Sequence, residues 1–151
     1  KNTIIVLPEK CARKMKKFDV GEIIGVEPGK EYEAGGISFK TIPAYNLDKK
    51  FHKLKKKYVG FVVHLENTWY YFAGDTDYVP EMDNVTADVV FLPVGGTYTC
   101  NAQDAAHAAN NIQPKIAVPI HFDSLVGTRD DAQTFIDNLD DGINGIILLK
   151  T

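Results

Sequence analysis

The sequence predicts an α/β (α+β) fold, with mixed sheets flanked by helices in a single domain over residues 1–151. Two observations carry this. Apolar residues recur with a period of two over residues 21–45, the mark of half-buried antiparallel strands. From residue 87 onward, continuous apolar runs alternate with helical stripes, as in strands covered on both faces. Between the two textures Trp69-Tyr70-Tyr71-Phe72-Ala73 runs straight into Gly74-Asp75-Thr76, so a buried strand ends on a carboxylate.

Residues 3–7 form a short apolar strand. Pro8 suits a first helical position, and Cys11, Ala12, Met15 and Phe18 mark the apolar stripe of a basic helix. Pro28-Gly29 and Gly35-Gly36 then punctuate an antiparallel meander over residues 21–45. Residues 46–57 make a polar loop carrying Lys49, Lys50, Lys53, Lys55, Lys56 and Lys57. Residues 58–66 and 69–73 form a hairpin about Asn67-Thr68. Residues 87–94 are a buried strand broken by Gly95-Gly96-Thr97. Asn101 caps a helix, with Asp104 three residues on, a stripe of Ala102, Ala105, Ala106, Ala109 and Ile112, and Pro114 as its stop. The strand at 116–120 ends at His121. Thr128 caps a last helix striped by Ala132, Phe135, Ile136 and Leu139 and closed by Gly142, before a strand over 143–149.

The 17 basic and 20 acidic side chains leave a net charge of −3, which removes any global case for nucleic-acid binding. Cys11 and Cys100 are far apart and form no metal or redox motif, so they read as reduced thiols of a cytoplasmic protein. No apolar run is long enough for a membrane span.

Two strands of the second half end in groups that bind metals, Asp75 and His121. Open α/β sheets gather their sites at strand ends. A carboxylate with an imidazole suits zinc, manganese or iron, and the Thr76 hydroxyl adds an oxygen beside Asp75. The same pair also reads as a turn-fixing aspartate and a strand-capping histidine. His64, alternating on a strand and facing solvent, and His107, off the alanine stripe, read as structural.

Several segments carry a family resemblance in the correct order. They are Val59-Gly60-Phe61-Val62-Val63, Tyr71-Phe72-Ala73-Gly74-Asp75-Thr76-Asp77, Pro80-Glu81-Met82 and Asp88-Val89. The series continues with Leu92-Pro93-Val94-Gly95-Gly96-Thr97-Tyr98, Pro114-Lys115 and Pro119-Ile120-His121-Phe122. Together they resemble the metal-dependent hydrolases of the metallo-β-lactamase superfamily. The nearer likeness is to its small Zn-dependent hydrolases related to ascorbate-6-phosphate lactonase.

The resemblance implies an αββα sandwich, of which this chain is the C-terminal portion, with one or two zinc or manganese ions at the edges of its sheets. It implies Asp75 as the catalytic, bridging carboxylate and His121 as the last histidine of the second metal. A metal-activated water would attack an ester, lactone or phosphodiester. The family's His-x-His-x-Asp-His loop is missing; it belongs before the segment matching residues 3–7, so the domain reads as N-terminally incomplete. Metal binding by this stretch alone is therefore expected to be weak or absent. The family's middle histidine falls at Asn46, with His52 six residues on as a further metal or substrate contact.

Two further readings accompany this one. The domain is a non-catalytic remnant of the fold, or the lysines of residues 49–57 bind an anion or a nucleic acid. Gly95, Gly96 and Thr97 offer backbone amides to a substrate anion. The expected substrate is a small anion. A sheet face lacking its covering strands is expected to drive association with a second copy.

Overall fold

The computed structural model describes residues 3–15, 17–18 and 21–148. Strand β1 (Ile4–Pro8), helix α1 (Glu9–Met15) and strand β2 (Glu22–Val26) form a βαβ unit, with β1 and β2 parallel and Ile4 opposite Glu22. This corrects the meander expected from residue 21. A period of two identifies a strand but carries no information about its neighbour's direction. Pro8 is the last residue of β1 rather than the first of the helix. Ala12 is the buried residue of α1, and Phe18 lies beyond its end, 53% exposed, so it is no part of the buried stripe.

The main sheet runs in the order β3 (Glu31–Ala34), β4 (Ile37–Ala44), β5 (Tyr58–Leu65), β6 (Thr68–Phe72), β7 (Val89–Pro93), β8 (Ile116–Ile120) and β9 (Asn144–Gly145). Pairing is antiparallel from β3 to β6 and parallel from β6 to β9. The hairpin turn is Glu66-Asn67, one residue earlier than expected, and both residues have positive φ. That geometry matches the twist of the flanking strands. Thr68 instead pairs with Leu65. The closing strand is only two residues long, and Leu149 lies outside the described residues.

Helix α2 (Ala102–Ile112) starts as expected, with the Asn101 side chain accepting from the Asp104 amide at 2.8 Å. It ends at Gln113 in the left-handed region, directly before Pro114. Helix α3 (Arg129–Asp137) opens on a full capping box between Thr128 and Asp131. It closes at Asn138, well before Gly142, which sits in the following turn. No helix among the described residues is long and apolar enough to cross a membrane.

The register aligns Val62, Tyr71, Val90 and Ala117 across four strands, and all four are buried. Ala102, Ala105, Ala106, Ala108 and Ala109 of α2, with Phe135 of α3, complete this core. The small side chains of α2 let its backbone approach the sheet closely. The opposite face aligns Phe61, Phe72, Phe91 and Val118. It is only partly covered: Phe72 is 41% exposed and stacks on Phe91 at 4.6 Å. Coverage of both faces, expected from the unbroken apolar run at 87–94, is therefore incomplete among the described residues.

Tyr71 is fully buried, yet its hydroxyl has no hydrogen-bond partner among the described residues. A buried polar group left unpaired costs stability. Tyr71→Phe is accordingly expected to raise the unfolding free energy by about 1 kcal/mol. Urea denaturation measures this, and a loss of stability would mean that the hydroxyl has a partner.

Candidate metal centre

Three side chains converge where strand β6 ends. Asp75 follows Gly74, whose φ of 70° turns the chain sharply out of the sheet. His121 follows β8 directly and adopts a φ of 59°, while His52 arrives from the 46–57 loop with a φ of 44°. Two non-glycine residues in the left-handed region, His52 and His121, mark a site where local strain is held by its surroundings.

His52 Nε2 lies 3.5 Å from Asp75 Oδ2, and His121 Nε2 lies 3.5 Å from Asp75 Oδ1. Both separations are too long for good N–H···O hydrogen bonds. They match the spacing of about 3.4 Å between neighbouring tetrahedral ligands at zinc, where each bond is about 2.1 Å. Each imidazole–carboxylate pair therefore has the spacing and chemistry of two ligands of a divalent ion, with a different oxygen of Asp75 facing each imidazole. Among the described residues, no three His, Cys, Asp or Glu side chains group closely enough to hold a metal ion between them.

The turn carrying Asp75 is clamped from behind. Thr76 is fully buried, and its hydroxyl accepts from the Tyr45 amide at 3.0 Å and donates towards Asp77 O at 2.7 Å. The hydroxyl is thus engaged with backbone, which removes it as the metal-side oxygen expected beside Asp75. The Asp77 amide donates to Tyr45 O at 3.0 Å, and Asp77 Oδ2 accepts from the Leu47 amide at 2.9 Å. Asp77 also pairs with Lys49. The Cys100 amide closes on Thr76 O at 2.8 Å. Burial, with Asp77 and Asp104 nearby, pushes the Cys100 thiol up to about 12.

Among the described residues no hydrogen bond links Asn46 to Asp75. Asn46 is buried, its side-chain amide donates to Tyr98 O at 2.8 Å, and its own amide donates to His52 O at 2.9 Å. It closes the loop that delivers His52. Asn46 Oδ1 and His52 Nδ1 are both buried without partners among the described residues.

Gly95 lies against His121; a Cβ there would meet His121 O at 2.5 Å and Nδ1 at 3.3 Å. The amides of Gly96 and Thr97 donate to Cys100 O and Gly95 O, both at 2.8 Å. They are therefore not free to cradle an anion, and α2 starts later, at Ala102. His64 is half-buried and stacks on Trp69 at 4.5 Å rather than facing solvent freely. His107 is exposed and packs edge-on to Tyr78. Sequence reasoning missed the cleft beside His121, lined by Phe122, Ser124, Leu125 and Val126. The apolar residues directly after His121 were its only signal.

The profile of the β-lactamase superfamily domain matches residues 9–121. A UPF0173 metal-dependent hydrolase of Listeria welshimeri is 38% identical over a 165-residue alignment that covers 97% of this chain and 72% of the relative. One from Thermoplasma acidophilum is 32% identical, covering 76% of this chain and 52% of its own length. Among solved structures, one from Parabacteroides distasonis named as a metal-dependent hydrolase aligns with a TM-score of 0.76 at 28% identity. That alignment covers 96% of this chain and 64% of the other. A metallo hydrolase of Ignicoccus hospitalis, at 20% identity and a TM-score of 0.73, shares the fold. With its Gly74-Asp75-Thr76 strand end, its mixed sheet and these relatives, the chain belongs to the metallo-β-lactamase superfamily, among the kin of the UPF0173 metal-dependent hydrolases.

Proposed function

We propose that the chain contributes one side of a metal-dependent hydrolase centre in which Asp75, His52 and His121 hold zinc or manganese. The supporting observation is that both oxygens of Asp75 face an imidazole Nε2 at 3.5 Å. A divalent ion bound there supplies Lewis acidity and acidifies water. Asp75 Oδ1 and Oδ2 each face one imidazole, and the buried Thr76 hydroxyl ties the turn after Asp75 to Tyr45, just before the loop carrying His52. Phe122, Leu125 and Val126 offer an apolar wall beside His121. The lysines of residues 49–57 draw in a small anionic ester, lactone or phosphodiester.

A second reading, a non-catalytic domain of the same fold, draws on the absence of a three-ligand group among the described residues. Equilibrium dialysis against zinc and manganese separates the two. Under the hydrolase reading the chain binds metal weakly, and His52→Ala and His121→Ala each weaken binding by roughly tenfold or more. Binding unchanged in both variants would remove these residues as ligands. A panel of nitrophenyl esters, lactones and phosphodiesters then reads turnover, which Asp75→Asn is expected to abolish.

Thr76→Val keeps the shape but leaves the Tyr45 amide unpaired. It is expected to cost about 1–3 kcal/mol of stability and to weaken metal binding along with it. Retained metal affinity in a folded Thr76→Val protein would show that the clamp does not position the ligands.

We also propose self-association through the sheet face carrying Phe72 and Phe91. Its support is the partial exposure of that aromatic stack. Sedimentation should show a dimer that Phe72→Lys dissociates; a monomer at high concentration would end this reading.

A further inference from the structure

Nine large apolar side chains are exposed among the described residues, and four of them sit on the two loops that carry His52 and His121. Leu47, Phe51 and Leu54 are 57%, 54% and 58% exposed, and Leu125 is 89% exposed. Single exposed leucines are ordinary on any surface. Four on the two loops that supply the imidazoles, one of them, Leu125, lining a cleft of about 270 Å³ that contains His121 itself, form apolar surface suited to a partner. Phe51 is held edge-on against Tyr98 with centroids 5.0 Å apart, so it forms a fixed wall.

The same loop is strongly cationic. Lys49 is taken by Asp77 and Lys57 by Glu27. Lys50, Lys53, Lys55 and Lys56 have no carboxylate partner among the described residues, and Lys53, Lys55 and Lys56 are exposed around the turn that begins at Leu54. On the other side of the centre, Asp123 is neutralised by Arg129 at 2.7 Å. The cations thus belong to the loop that carries His52 and the apolar cleft to the segment that follows His121, and both imidazoles face Asp75.

We propose that this centre takes an amphiphilic anion, its apolar chain lying against Phe122, Leu125 and Val126 and its anionic head facing the free lysines of the 46–57 loop. The inference rests on the hydrolase reading of the same centre and narrows its substrate class. A small polar anion would leave the cleft beside His121 unfilled. The positive potential of the exposed lysines favours an anionic head over a neutral one. A cleft of this size suits one small molecule rather than an extended strand of nucleic acid, for which stacking platforms would be needed.

Calorimetric titration in the presence of a chelator tests binding apart from turnover. The probes are ethyl phosphate, octyl phosphate and octyl glucoside, each below its micelle concentration. Octyl phosphate is expected to bind at least tenfold tighter than either of the others, a gain that burial of about two methylenes supplies. Leu125→Ser should bring octyl phosphate down to the level of ethyl phosphate. Lys53→Glu combined with Lys56→Glu should bring it down to octyl glucoside. All three side chains are exposed, and near-ultraviolet dichroism confirms that the variants fold. Equal affinity for octyl and ethyl phosphate overturns the proposal, as does equal affinity for the phosphate and the glucoside. Binding to phosphatidylglycerol vesicles without binding of monomeric octyl phosphate also overturns it, in favour of a lipid surface. So does single-stranded RNA binding that Leu125→Ser leaves unchanged. Failure of the underlying reading looks different: octyl phosphate binds, yet the metal-loaded protein hydrolyses no ester. Conversely, equal kcat/KM for nitrophenyl ethyl phosphate and nitrophenyl octyl phosphate, both anionic diesters, removes the amphiphile inference while the hydrolase stands.

Discussion

The buried hydroxyl of Thr76 is the interaction on which the geometry of the centre depends. Asp75 is delivered by a strand, but His52 belongs to a loop with no place in the sheet ladder. What holds the two together is the short contact between residues 76–77 and residues 45–47. It includes Thr76 Oγ1 with the Tyr45 amide, the Asp77 amide with Tyr45 O, and the Asp77 carboxylate with the Leu47 amide. These bonds are largely out of water, where each is strong and each missing partner is costly. The clamp thus fixes where the His52 loop begins, and the Asn46 amide bonded to His52 O fixes where it turns back.

Electrostatics anchors both ends of that loop and leaves its middle free. Lys49 is tied to Asp77 behind the centre, and Lys57 to Glu27 at the end of the βαβ unit. Lys30 first, and then Lys57, hold the Glu27 carboxyl down to about 2, so it remains an anion at any physiological pH. The lysines between are those without a carboxylate partner among the described residues. The loop's charge is therefore divided between fixing the loop and facing outwards.

The sheet has a comparable division. Its α2 and α3 face is packed with alanines and fully buried side chains, which makes the strand ends rigid supports for Asp75 and His121. Its other face carries stacked aromatic rings that are only half covered. Rigid strands with chemistry at their ends, and variable loops around them, are the usual division of labour in α/β sites.

The sequence by itself determined most of the elements and singled out the candidate site residues. Alternation and apolar runs located the strands of the main sheet, Asn101 and Thr128 identified two helix starts, and Asp75 and His121 stood out because both end strands. These signals are local, set by side-chain period and by capping chemistry within a few residues. Only the tertiary structure decided the rest. The parallel pairing of β1 with β2, the backbone role of Thr76 and the approach of His52 to Asp75 are contacts between distant segments. Asn46 could be read as a replaced ligand because nothing nearby in the chain shows that its amide reaches Tyr98, 52 positions away. The physical reason is that hydrogen bonds and side-chain convergence depend on distances in space, which spacing along the chain does not encode.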